Sequence, residues 1–153
     1  MNKKKGIWFY GLSGSGKSYA SILINKKIKN SIVIDGDEVR KNISFDLKYS
    51  KKDRNIQLKR MLGIGKIAIN SRIFPLMSTV WMNSTIIKSA NKIGIKVIKV
   101  ETNFNKLIKT HKTYKKKKDV VGINIKYEKN LKSSTIQNNK DNKFWNILKK
   151  LTQ

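Results

Sequence analysis

The 153-residue sequence contains no cysteine, one proline, one histidine and only nine acidic residues. The absence of cysteine excludes a disulfide framework and thiol chemistry. No apolar run approaches the roughly 20 residues that a membrane-spanning helix requires, so no association with membranes is expected. The basic segment 1–5 is followed by too few apolar residues for a secretory signal. We therefore expect a single soluble, cytoplasmic domain over residues 1–153, with 39% hydrophobic residues to supply its core.

The scarcity of acidic residues leaves a formal net charge of +26, since 35 residues are lysine or arginine. A field of this sign favours polyanions such as nucleic acids. The excess is nearly all lysine and is spread along the chain with asparagine and isoleucine, with one true run at 115–118. This distribution indicates a compositional bias combined with an anionic small-molecule substrate. Nucleic acid is expected to bind only non-specifically.

The most informative stretch is residues 7–18, IWFYGLSGSGKS, where an apolar strand leads into the pattern G-x-x-x-x-G-K-[ST]. Glycines in this pattern allow tight turns, while backbone N–H groups and the start of the next helix face an anion. The pattern therefore predicts a phosphate-binding loop for ATP. Its predicted contact residues are Gly11, Ser13, Gly14, Ser15, Gly16, Lys17 and Ser18. Lys17 would reach the terminal phosphates, and the Ser18 hydroxyl would bind Mg²⁺.

Two carboxylates follow the second apolar run, which covers residues 31–35. In an open α/β sheet, ligands bind outside the carboxyl ends of the strands. Asp35 and Asp37 are therefore candidates for holding Mg²⁺ or for accepting the proton of a hydroxyl. The alternative is an Asp-Gly turn whose acids cap a helix.

Strand-like and helix-like segments alternate along the chain, which predicts an α/β fold of the P-loop NTPase type, with a parallel, doubly wound sheet flanked by helices. The predicted strands are residues 7–10, 31–35, 73–80 and 95–100. The predicted helices are residues 17–28, 39–43, 51–70, 83–92, 103–111 and a closing amphipathic helix that contains Phe144 and Leu148. Residues 112–126 are expected to form a mobile lid and residues 129–140 a polar loop. His111 is expected to be a surface residue without a role.

Several motifs resemble those of adenylylsulfate kinases. Residues 8–18 (WFYGLSGSGKS) and 35–40 (DGDEVR) are similar to the family's WFTGLSGSGKS and DGDNVR, and residues 46–54 and 122–128 are similar to its DLGFS…DR and GIDDPYE. The resemblance implies a kinase that uses ATP and Mg²⁺ to phosphorylate the ribose 3′-hydroxyl of adenosine 5′-phosphosulfate, often as a homodimer. It implies catalytic roles for Lys17, Asp35 and Asp37, and Mg²⁺ binding by Ser18 and Asp35. The implied substrate-binding residues are Asp37, Arg40, Tyr49, Arg54, Gln57 and Lys112.

The departures from the family pattern fall on the acceptor side. Residues 80–83 (VWMN) replace the family's FISPYR, and the lid is shorter. Val-Val-Gly at residues 120–122 resembles relatives that phosphorylate cytidine diphosphoramidate in capsule modification, and this activity is the first alternative. The short lid also suits a degenerate ATP-binding protein without turnover, and the positive charge suits a polynucleotide end kinase.

Overall fold

The computed structural model describes residues 4–116 and 118–152, and its strands form one parallel sheet. The strands are β1 (Gly6–Tyr10), β2 (Ser31–Asp35), β3 (Phe74–Thr79), β4 (Ile95–Glu101) and β5 (Ser134–Gln137). Their order across the sheet is β2-β3-β1-β4-β5, which confirms the predicted doubly wound P-loop fold. Part of the predicted basic N-terminus (residues 1–3), Lys117 of the lysine run and Gln153 lie outside the described residues.

Helices cover both faces of the sheet. They are α1 (Lys17–Asn25), α2 (Gly36–Asn42), α3 (Lys51–Asn70), α4 (Ser84–Lys92), α5 (Phe104–Thr110) and α6 (Asn142–Lys150), with a 3₁₀ helix at Lys112–Lys115. Ser50 caps the N-terminus of α3, because its Oγ accepts from the Asp53 N–H at 3.1 Å. None of the helices in residues 4–116 and 118–152 combines the length and the hydrophobicity that crossing a bilayer requires.

Two predicted boundaries and one predicted loop are wrong. The helix predicted over 17–28 ends at Asn25, and the helix predicted over 39–43 begins at Gly36, since the Asp35 side chain caps it. The polar loop predicted over 129–140 contains β5, which pairs with β4 at the edge of the sheet. Ile136 is the one buried side chain of β5. A single apolar residue carries no periodicity, so the pattern alone could not reveal this strand.

The central strand β1 separates two hydrophobic cores. Ile7 and Phe9 point to the face covered by α1 and α6, whereas Trp8 and Tyr10 point to the face covered by α3 and α4. This alternation follows from the two-residue period of a strand. Because all five strands run in parallel, the loops after β1, β2 and β3 emerge at the same edge of the sheet.

Candidate active site

The phosphate-binding loop leaves β1 at Gly11 and enters α1 at Gly16. Gly16 has a φ of +95°, and a Cβ at this position would lie 2.3 Å from the Nδ2 of Asn138. The left-handed backbone and the close neighbour both require glycine here. The loop is closed internally by a bond of 3.0 Å from the Ser15 N–H to the Leu12 carbonyl. The conformation thus depends on residues distant in sequence as well as on the motif itself.

Asn138, just after β5, supports this loop and was missed from the sequence. Its Nδ2 donates to the Ser15 carbonyl at 2.8 Å, while its own N–H donates to the Glu101 carbonyl at 2.7 Å. Both Asn138 and Ser15 are buried. In a chain so rich in asparagine, no local signal distinguishes this one, and the strand that positions it was itself predicted as loop.

Lys17 is the buried cation of the loop, with 7% of its surface exposed. Its Nζ donates to the Leu12 carbonyl at 3.2 Å. Burial lowers the pKa of Lys17 to about 8, although the charges of Asp37 and Asp35 act in the opposite direction. A buried ammonium with one neutral partner is available to an anion that enters the loop.

Asp35 links the loop to two neighbouring strands. Its Oδ2 accepts from the Ser18 Oγ and from the Ser78 Oγ, each at 2.6 Å, and its Oδ1 accepts from the Asp37 N–H at 3.0 Å. Burial raises the pKa of Asp35, but these hydrogen bonds and the charge of Lys17 outweigh it, so the net pKa lies below the ordinary value. The carboxylate therefore stays ionised beside the hydroxyl of Ser18. Ser78, at the end of β3, is a partner that the sequence placed at this edge without a role.

A cavity of about 730 Å³ extends from the loop across the carboxyl ends of the strands. All predicted site residues line this cavity except Gly11, Ser15, Gly16 and Lys112. Lys112 is exposed outside its walls, and Lys116 and Lys118 of the lid line it instead. Asp37 is exposed and lines the same cavity as the loop and the cationic residues.

Tyr49 stands among cations at the far end of the cavity. The Cζ of Arg40 lies 4.7 Å from the centre of its ring, the Cζ of Arg54 5.5 Å, and the Nζ of Lys116 5.6 Å. Cations over an aromatic ring are attracted by its quadrupole. The ring, 46% exposed, thus holds three positive groups around one wall of the cavity, which makes that wall suited to an anionic ligand.

Arg54 and Gln57, both on α3, donate hydrogen bonds to backbone carbonyls around this wall. The Arg54 Nε donates to the Tyr49 carbonyl at 3.0 Å, and its Nη2 donates to the Asp119 carbonyl in the lid at 2.9 Å. Burial and the charge of Arg40 lower the pKa of Arg54. The Gln57 Nε2 donates to the Gly36 carbonyl at 3.1 Å, but its Oε1 is buried without a partner among the described residues.

An aromatic pair lies where the sequence departs from the family pattern, and one of its members lines the cavity. Trp81 lines the cavity and stacks on Tyr127, with ring centres 5.7 Å apart and an interplanar angle of 11°. The Trp81 Nε1 donates to the Asn55 Oδ1 at 2.8 Å, and the Tyr127 hydroxyl donates to the Val80 carbonyl at 2.5 Å. These bonds fix the indole, so this wall is rigid.

The start of the lid is docked on the phosphate-binding loop. The Tyr114 hydroxyl donates to the Ser13 carbonyl at 2.8 Å, and burial raises the pKa of this tyrosine to about 12. Val120 packs with Leu107 and Tyr114 and also lines the cavity. His111, expected to be a surface residue, is half-buried, and its ring lines the cavity beside Gly14.

Comparison with known proteins points to one family. The family model described as adenylylsulphate kinase matches residues 3–137. The adenylyl-sulfate kinase of Bacteroides fragilis (strain YCH46) is 33% identical over 97 residues, which are 60% of this chain and 48% of that protein. The adenylyl-sulfate kinase of Buchnera aphidicola subsp. Schizaphis graminum is 38% identical over 79 residues, which are 48% of this chain and 37% of that protein. Less than half of either relative's own length is thus matched.

A solved structure shares the fold. The Mycobacterium tuberculosis APS kinase CysC, in complex with AMPPNP and APS, superposes with a TM-score of 0.81 and covers 99% of each chain at 21% sequence identity. The similarity extends over the sheet and the helices on both of its faces, so the architecture of the two chains is the same.

Proposed function

We propose that this chain, which belongs to the adenylylsulphate kinase family, transfers the terminal phosphoryl group of ATP. The acceptor in this proposal is the ribose 3′-hydroxyl of adenosine 5′-phosphosulfate. One observation carries the proposal. One cavity is lined by the phosphate-binding loop, by the cations around Tyr49 and by the carboxylates of Asp35 and Asp37. A phosphate donor at one end and an anionic acceptor at the other would meet at these carboxylates.

ATP would lie with its phosphates on residues 11–18, where Lys17 supplies the buried charge. Mg²⁺ would be held by Ser18 and Asp35, whose oxygens are 2.6 Å apart and are the hard donors that this ion prefers. No group of three or more His, Asp or Glu side chains in the described part of the chain could hold a metal, so the other ligands would be phosphates and water. When bound, Mg²⁺ neutralises phosphate charge.

The reaction would be an in-line displacement at the γ-phosphorus. The acceptor oxygen forms a bond to this phosphorus while the bond from phosphorus to the bridging oxygen of the β-phosphate breaks, which releases ADP. Asp37, exposed in the cavity and close enough to Lys17 to affect its pKa, would take the hydroxyl proton. Lys17 would follow the negative charge that moves toward the leaving oxygen.

The acceptor would bind among Arg40, Tyr49 and Arg54. In this scheme, the two guanidinium groups face an anionic sulfate or phosphate of the acceptor. Residues 112–126 act as a lid, and its Lys116 and Lys118 line the same cavity. The Gln57 Oε1 would accept from an amino or hydroxyl group of the acceptor, which would satisfy its buried oxygen.

Cytidine diphosphoramidate is the second candidate acceptor. The observation that favours it is the lining of the cavity, to which Val120 contributes an aliphatic side chain. An aliphatic wall offers less stacking surface to a purine than an aromatic one.

The deciding experiment measures acceptor-dependent ADP release with MgATP, offering adenosine 5′-phosphosulfate and cytidine diphosphoramidate in parallel. Lys17→Ala should abolish release, whereas Lys27→Ala, which removes an exposed charge in the turn after α1, should not. Turnover of only the cytidine compound would replace the proposed acceptor. ATP binding without turnover of either would indicate the degenerate protein. An oligonucleotide with a free 5′ end, tested for phosphorylation, distinguishes the end kinase.

Light scattering measures the mass of the chain in solution and tests the homodimer expected from the family. A monomer at the concentrations used for turnover would remove that expectation without affecting the proposed reaction.

A further inference from the structure

His111 is the only histidine of the chain, and its ring packs against the phosphate-binding loop. Its Cδ2 atom lies 2.8 Å from the position that a Cβ on residue 14 would occupy. Gly14 has a φ of +84° and no side chain, so its backbone lies directly against the imidazole. The ring therefore forms a wall of the cavity beside the loop, and Lys17 lines the same cavity.

Contacts of residues before and after His111 in the sequence fix the position of its ring. The His111 N–H donates to the Leu107 carbonyl at 2.9 Å, which ends α5, and the Leu107 side chain also packs against Gly14. Three residues after His111, the Tyr114 hydroxyl is bonded to the Ser13 carbonyl at 2.8 Å. The imidazole is thus held between two anchors that both rest on the phosphate-binding loop.

The hydrogen bonding of the ring determines which nitrogen is available. The Thr113 N–H donates to the His111 Nδ1 at 3.4 Å. A neutral imidazole that accepts at Nδ1 carries its proton on Nε2. Nε2 is bonded to Cδ2, the ring atom nearest Gly14, and within residues 4–116 and 118–152 no side chain or carbonyl accepts from it. An unused N–H donor therefore lies one bond away from the ring atom that faces Gly14.

We propose that His111 donates from Nε2–H to the phosphate chain of the bound nucleoside triphosphate. The inference rests on the proposed function, because that function places ATP on residues 11–18. Hydrogen bonds to an ionised phosphate are shorter and stronger than those between neutral groups. His111 then extends the anion site of the loop by one donor from the end of α5, and it fixes the orientation of the phosphates before the acceptor enters.

The test compares two replacements by equilibrium binding without any acceptor. His111→Gln keeps an N–H donor at a similar reach, whereas His111→Phe keeps the ring that packs on Gly14 but has no donor. MgATP and magnesium tripolyphosphate, the phosphate chain without a nucleoside, are each titrated into the wild type and the variants. Thr110→Ala is the control, because Thr110 is exposed and its hydroxyl donates only to the Lys106 carbonyl.

His111→Phe should weaken both ligands by about 10- to 100-fold, the range for loss of a hydrogen bond to a charged group, while His111→Gln retains most of the affinity. A loss for MgATP alone, with tripolyphosphate unchanged, would overturn the phosphate contact and indicate a contact with the base. Wild-type affinity in His111→Phe would overturn it as well. A wild-type chain that binds no MgATP would instead refute the proposed function, and the inference with it.

Discussion

Asn138 allows a sharp test of how β5 supports the phosphate-binding loop. Asn138→Ala removes the donor to the Ser15 carbonyl and the acceptor of the Lys140 N–H, bonds of 2.8 and 3.0 Å. The two losses are unequal. Lys140 is exposed, so water replaces its partner, whereas Ser15 has no exposed surface and its carbonyl stays unpaired.

A buried unpaired acceptor costs about 1–3 kcal/mol. For a domain of this size, that cost corresponds to a decrease in Tm of about 2–12 °C. The free energy of unfolding should be measured by urea denaturation, with the m-value unchanged so that the midpoint reports stability alone. The affinity for MgATP should fall in the same variant, because the Ser15 carbonyl belongs to the loop on which we propose that the phosphates bind.

Asn139→Ala is the matched control, since Asn139 is the exposed neighbour of the same residue type. It should change the free energy of unfolding by less than about 0.5 kcal/mol. If Asn138→Ala behaves like Asn139→Ala in both stability and MgATP affinity, the bond to Ser15 does not support the loop, and the argument from burial is refuted.

Two further predictions concern charge in the cavity. MgATP affinity should fall as the pH rises through about 8, the lowered pKa of Lys17, because the free protein then loses the ammonium proposed to bind phosphate. Binding titrations at several pH values check this prediction. A wild-type pH profile as flat as that of Lys17→Ala would contradict it. Tyr49→Ala should raise the KM for the acceptor by about 2- to 30-fold, since each cation–π contact contributes about 0.5–2 kcal/mol. Tyr49→Phe keeps the ring, so its KM should stay near that of the wild type. Equal KM values for the two variants in steady-state kinetics would show that the ring does not organise the cations.

The parts of the site predicted from the sequence are those written in one continuous stretch. The strand, loop and helix form in the predicted order because the motif, the apolar run and the helix start are adjacent, although the helix ends at Asn25 and not at residue 28. Asp35 and Asp37 were placed at the correct edge because parallel strands all end there.

The parts that escaped prediction depend on contacts between distant segments. Asn138 reaches the loop through an edge strand with a single buried side chain, and Arg54 holds the lid at Asp119 through a backbone carbonyl that any residue type would supply. His111 lies at the end of a helix in a pattern typical of a surface residue, and only packing against Gly14 brings it to the cavity. The sequence also does not distinguish Lys112, which points away, from Lys116, which lines the cavity.

The strand order has a consequence for the growing chain. Within the described residues, β2 pairs with β3 alone, and β1 pairs with β3 and β4. The backbone of Ile7 therefore finds its hydrogen-bonding partners only after the segments that contain Leu76 and Lys96 have been translated. During synthesis, the first two strands leave the ribosome without a partner, and β1 is apolar along its length. Pairing over such sequence separations is slow, since a long loop must be closed first. The phosphate-binding loop is therefore translated before β5, which supports it through Asn138, and it gains its final shape only after β5 has docked. Until β3 and β4 have been translated, the apolar β1 lacks its neighbours and is exposed to chaperones and to aggregation.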